Sequence, residues 1–134
     1  MDIATRVRLP LLLLRIGVFV VMLMWTLDKF VRPGHAAGIF KKFYQVDLGS
    51  PTVFYVLGLV ELVLILLFVT GTVKRFSYGA VLVLHAISTL SSYQQYTQAF
   101  DNLLFFAAWP MLAACVTLYL LRDLDTLWAV QKAP

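Results

Sequence analysis

The sequence predicts an all-α integral membrane four-helix bundle with both termini on the cytoplasmic face. Three observations lead there. The 134 residues are 61% hydrophobic and 13% charged, against roughly 45–50% apolar and about 25% charged in a soluble domain. The apolar residues gather into four runs, each close to the roughly 20 residues that a spanning helix needs. The basic residues sit at the ends of those runs, where membrane proteins keep them. Mean hydropathy is +0.85.

The same composition excludes other classes. Disorder needs low hydrophobicity and high net charge. A single cysteine, Cys115, excludes an internal disulfide and a thiolate zinc cage. A net charge of +4 would point to nucleic acid in a soluble chain, but charges flanking apolar runs point to the bilayer instead, so no nucleic-acid partner is expected. With no repeat and no linker, residues 1–134 read as one transmembrane domain.

The first span covers about residues 9–31, interrupted by Arg15 and closed by Asp28 and Lys29. It is too long for a signal peptide, and charges follow it before any small-residue cleavage site. The second covers about 51–73, with Glu61 near its middle. The third, about 76–93, is shorter and more polar and contains His85. The fourth covers about 103–121 and is expected to kink at Pro110, which has no N–H to give the Phe106 carbonyl. Four spans place both termini on one face with Arg6, Arg8, Lys74, Arg75, Arg122 and Lys132. Lys29, Arg32, Lys41 and Lys42 lie on the other face. The excess sets the termini in the cytoplasm. In the first external loop, Gly38 to Tyr44 reads either as a short interfacial helix or as a polar loop with aromatics. Trp128 reads as an interfacial anchor in a polar tail, and Arg15 as a residue snorkelling to the nearer surface.

An ionisable group at mid-span costs about 2.5–3.5 kcal/mol and so needs a partner or a function. Glu61 lies ten residues after Pro51, roughly 15 Å deep at 1.5 Å per residue. His85 lies at a similar depth on the neighbouring antiparallel span, so a Glu61–His85 pair is expected, titrating as a unit if His85 is protonated. At 100° per residue His85, Ser88, Thr89 and Ser92 form one stripe. Asp28 and Lys29 lie at the external end of the first span. These seven residues are the candidate polar cavity, open to the external side, with Glu61 and His85 at its floor. Trp25, Phe54, Phe105 and Trp109 are the candidate aromatic lining. Plainer readings stand beside these. Ser88, Thr89 and Ser92 can each bond their own i−4 carbonyl, Asp28 and Lys29 can pair with each other, and the aromatics can be core. Ala107, Ala108, Ala113 and Ala114 invite a close helix contact or an oligomer seam. No catalytic signature and no metal-ligand spacing appears.

Arg15-x-Gly17 followed by Asp28-Lys29-Phe30, then Gly58-x-x-Glu61-Leu62, Thr70-Gly71 and Lys74-Arg75, resembles DoxX-like proteins over about residues 10–120. That resemblance implies a four-span inner-membrane protein. It also implies a link to quinone chemistry, as in thiosulfate:quinone oxidoreductase, with a partner redox enzyme. No cofactor is expected in the chain itself, with quinone as the ligand. The alternative is a non-enzymatic, chaperone-like binding or assembly protein for a lipid, a small molecule or a partner protein.

Overall fold

The computed structural model describes residues 1–45, 47 and 49–131; Lys132, counted above on the cytoplasmic face, lies outside them. The described residues are helical, with no strand among them. Helix α1 runs Ile3–Val31. It starts where the Asp2 carboxylate accepts a bond from the Thr5 N–H at 2.9 Å, which also holds that carboxyl below its ordinary pKa. Helix α2, Pro33–Ile39, begins on a proline already set to a helical φ. It continues into a wider π-type turn, Phe40–Tyr44. The loop expected to be either helix or coil is therefore helical, from five residues earlier than its aromatic cluster. Helix α3, Pro51–Val69, is capped by Ser50. A tight turn leads to α4, Lys74–Ser91, then to the short α5, Tyr93–Thr97.

The fourth apolar run differs from expectation. It is not one kinked α-helix. A 3₁₀ segment, Leu103–Ala107, leads into α6, Ala108–Leu120. Pro110 falls in the first turn of α6, where backbone N–H groups have no intrahelical partner anyway. The missing donor costs nothing there, and no kink is needed.

Three segments are long and apolar enough to cross a membrane: Ile3–Val31, Pro51–Val69 and Leu103–Leu120. The helices pack in the order α1, α3, α4, α6, with α6 closing back on α1. Leu11, Ile65, Phe68, Val81 and Leu118 meet in the core at one end. The outer faces stay apolar: Met24, Val60 and Leu90 are each about three-fifths exposed, at 61%, 63% and 62%. Soluble monomers rarely leave so much apolar surface uncovered. The distribution is inverted, with hydrocarbon outside and charge inside.

Arg15 carries that inversion furthest. It does not snorkel. It is 0% exposed, and its Nη1 lies 2.7 Å from Oδ1 of Asp125, also 0% exposed. The Tyr78 hydroxyl donates to the other Asp125 oxygen at 2.6 Å. Arg15 Nη2 donates to the carbonyls of Leu127 and Trp128. The segment after α6 is therefore no loose polar tail. It folds back between the helix ends, leaving Trp128 exposed while Asp125 and Ala129 are buried. Its backbone pairs with the α3–α4 turn: Val130 N–H donates to the Thr70 carbonyl at 2.8 Å, and Gln131 N–H to Gly71 at 2.9 Å. The Lys74 ammonium donates to the carbonyls of Arg122 and Asp125. Gly71 is required twice over. Its φ is +65°, and a Cβ there would stand 2.7 Å from that of Ala129.

Removing one partner of a buried ion pair leaves an uncompensated charge. Asp125→Asn is expected to destabilise the protein by about 3–5 kcal/mol in detergent unfolding, and pairing it with Arg15→Met to recover most of the loss. Unchanged stability of the single variant would show that the pair does not hold the end of the bundle.

Candidate functional site

At the opposite end the helices do not close. A cleft of about 900 Å³ lies between α1 on one side and α4 with the start of α6 on the other. Phe40, Phe43 and Tyr44 of the π-type turn cap it, and Glu61 of α3 reaches it. Several wall residues are also exposed at the surface, among them Leu13, Trp25 and Ile87. The cleft is thus open along the side of the bundle.

Glu61 and His85 both line it, but they do not pair. Glu61 is held from α1: its Oε2 is 3.0 Å from the Lys29 ammonium, and its Oε1 accepts from the Thr26 hydroxyl at 3.2 Å. The sequence reading placed Lys29 at the water-facing end of its span. Helical side chains lean toward the N-terminus of their own helix. A lysine in the last turn of α1 is therefore aimed back into the bundle, and its long stem covers the remaining distance. Gly58, one turn before Glu61, permits the approach. A Cβ there would lie 2.8 Å from the Phe30 ring and 3.4 Å from the Lys29 Cβ. The Gly58-x-x-Glu61 spacing thus has a physical content: the glycine admits α1, and the carboxylate receives its lysine.

His85 is braced by its own side of the bundle. Its Nε2–H donates to the Ala108 carbonyl at 3.0 Å, an atom that only accepts, which assigns the proton to that nitrogen in the neutral ring. The Thr89 hydroxyl sits 3.2 Å from the same nitrogen and donates to the His85 carbonyl.

Asp28 does not pair with Lys29. Its carboxylate binds Arg32 at 2.8 Å and His35 at 2.6 Å. His35 is a partner the sequence reading missed. The i,i+7 offset is a helical one, but a proline lies between the two residues, and only the rapid restart of the chain as α2 restores it. Asp28, Lys29, Ser88 and Ser92 line the cleft with Glu61 and His85, as do Trp25 and Phe105.

Three candidates lie elsewhere. Thr89 is buried behind His85, taking the i−4 bond that a helical threonine favours. Phe54 is buried beneath Phe40, ring centroids 5.4 Å apart, and supports the cap from below. Trp109 is 43% exposed and packs on Tyr96 at 5.5 Å. At 3.6 residues per turn Trp109 would share a helix face with Phe105. The intervening 3₁₀ backbone has about three, which turns Trp109 out of line.

Glu61 and His85 are also not the floor. The cleft continues past them along Leu13, Gly17 and Val21 of α1, and along Met111 and Ala114 of α6. Ala107, Ala108 and Ala114 line the cleft, and Ala114 also packs against the core. The site therefore has a polar upper part and an apolar lower part. Among the described residues no group of three or more His, Cys, Asp or Glu side chains is placed to hold a metal. Cys115 is buried in the core, away from the cleft wall. No family model, no curated protein and no solved structure matches the chain.

Breaking the α1–α3 link is expected to matter most when it strands a charge. Lys29→Met should destabilise the protein by about 3 kcal/mol, near the low end for a pair that is not fully enclosed. Lys29→Met with Glu61→Leu should recover most of that loss in a double-mutant cycle of detergent unfolding. Additive losses would mean that the two residues act independently.

Proposed function

We propose that the chain is a four-span protein of a bacterial inner membrane with both termini in the cytoplasm. On this reading it is a DoxX-like membrane subunit that binds a quinone for a partner redox enzyme. The fourth span is α4. Its outer face, with Phe76, Val83, Ile87 and Leu90 exposed, is as apolar as those of its neighbours, and its polar side chains His85 and Thr89 turn inward. Arg6, Arg8, Arg75 and Arg122 gather at the terminal end and favour the cytoplasm for it.

The observation that carries the ligand reading is the division of one cleft into a polar head and an apolar extension. A quinone is a flat ring with two acceptor oxygens on a hydrocarbon tail. The Lys29 ammonium and the Ser88 hydroxyl supply donors, and Trp25 and Phe105 supply flat apolar walls. The partner enzyme supplies the two electrons that convert quinone to quinol. The two protons come from water at the open end of the cleft, and Glu61 and His85, which line it, relay them. A second reading, a non-enzymatic receptor for a lipid or client protein, is favoured by the state of the charges. Lys29 and Glu61 neutralise each other, and Asp28 is satisfied by Arg32 and His35. That leaves a cleft equipped to hold a molecule without attacking it.

Two measurements test these readings. In nanodiscs, a tail-less benzoquinone should quench Trp25 fluorescence saturably, with the other tryptophans replaced. Ser88→Ala should weaken binding about tenfold, the worth of one hydrogen bond to a polar head. Saturable quenching with the same affinity in both proteins would remove Ser88 from the site. For orientation, a cysteine at Asp101 should react with an impermeant maleimide on intact spheroplasts, and one at Arg75 only after permeabilisation. The native thiol is buried and stays silent. The reverse pattern overturns the topology.

A further inference from the structure

The lower half of the cleft has no polar work to do, yet it is built into the same space. From Trp25 down to Leu13 the α1 wall descends twelve residues, about 18 Å of helix. The stripe of α1 that lines the cleft here, Leu13, Gly17 and Val21, is exposed along the open side and carries no hydrogen-bonding side chain. Met111 and Ala114 of α6 form the facing wall. Below this level α1 and α6 pack together near Leu11 and Leu118, so the space ends in the core. Gly17 is the telling residue. It is not needed for close helix packing, because a Cβ built there meets no atom within 4 Å. Its backbone conformation is ordinary helix, so positive φ does not require it either. A glycine in a helix interior costs roughly 0.5–1 kcal/mol relative to alanine. Here that cost leaves an open channel at mid-height between two helices.

We infer that this channel is a tail site, which makes the ligand of the cleft a single-tailed amphiphile that enters sideways from the bilayer. The inference rests on the quinone reading above and narrows it. The head lies under Phe40 and Phe43 beside Lys29, and the hydrocarbon tail runs down the seam between α1 and α6. Entry through the side is required by the exposure of Leu13 and Trp25, which leaves the wall open to lipid rather than to water. Selectivity for the tail cannot come from burial, since bilayer and channel are equally apolar. It comes from fit, and fit is what a side chain at position 17 destroys.

The test compares two probes in nanodiscs by Trp25 fluorescence, a decyl-benzoquinone and the same ring without a tail. Concentrations are expressed per lipid for both. Gly17→Leu grows into the open space of the channel, where its first side-chain atom meets no protein atom. It is expected to weaken the decyl probe about tenfold, a typical overpacking effect, and to leave the tail-less ring unchanged. Gly17→Ala should give a smaller loss in the same direction. An unfolding midpoint at or above that of the native protein in both variants shows that the fold is intact. If Gly17→Leu leaves decyl binding unchanged, or weakens both probes alike, the tail site is overturned while quinone binding stands. If neither probe binds the native protein, the quinone reading fails and this inference falls with it.

Discussion

The architecture depends on one fully buried ion pair. An arginine about 18 Å along a membrane helix has three options at that depth: snorkel, distort the bilayer, or find a carboxylate. Arg15 finds Asp125, and the distance between them in sequence is what organises the rest. To deliver that carboxylate, the chain beyond α6 must turn back under the bundle. Doing so brings Val130 and Gln131 onto the α3–α4 turn and places Ala129 against Gly71. Tyr78 and Lys74 then complete the coordination of Asp125 from α4, the first through its hydroxyl and the second through the backbone carbonyl. Four elements are thereby fastened at one end by groups that have no alternative partner in hydrocarbon.

Fastening one end leaves the other free to open. The second ion pair, Lys29–Glu61, joins only α1 and α3. His85 joins only α4 and α6 through Ala108. The two halves of the upper bundle are each braced internally, and among the described residues no hydrogen bond or ion pair crosses between them. Their separation is the cleft. The cap contributes the aromatic contact across it, Phe43 against Phe105 at 6.1 Å. Polar residues thus serve two different ends of the molecule: at the closed end they hold helices together, and at the open end they hold each helix pair in shape around a space.

Much of this was legible from residue types. Glu61, His85, Asp28, Lys29, Ser88 and Ser92 were found because a polar group in an apolar run stands out, and all six line the cleft. What could not be read was which of them would pair. Helix periodicity gives the face on which a residue lies, but not the direction in which a long side chain leans, so it names Lys29 as a cavity residue without giving Glu61 as its partner. Periodicity also assumes one helix type throughout, and the 3₁₀ turn before α6 moved Trp109 off the cleft. Arg15 was misjudged for a different reason. Its partner lies in a tail whose composition is that of an exposed segment, and nothing local marks Asp125 as buried.

The sequence by itself determined the class of the molecule. Hydropathy and periodicity are local sums, so apolar helices, their order and their inward polar stripes follow from nearest neighbours along the chain. The tertiary structure alone decided the pairings and the empty space. Arg15 with Asp125 and Glu61 with Lys29 are contacts across long stretches of sequence, fixed by which helices become neighbours and how closely glycines such as Gly58 let them approach. The cleft is a property of the gap between helices, and Gly17 takes on meaning only once the wall facing it is known.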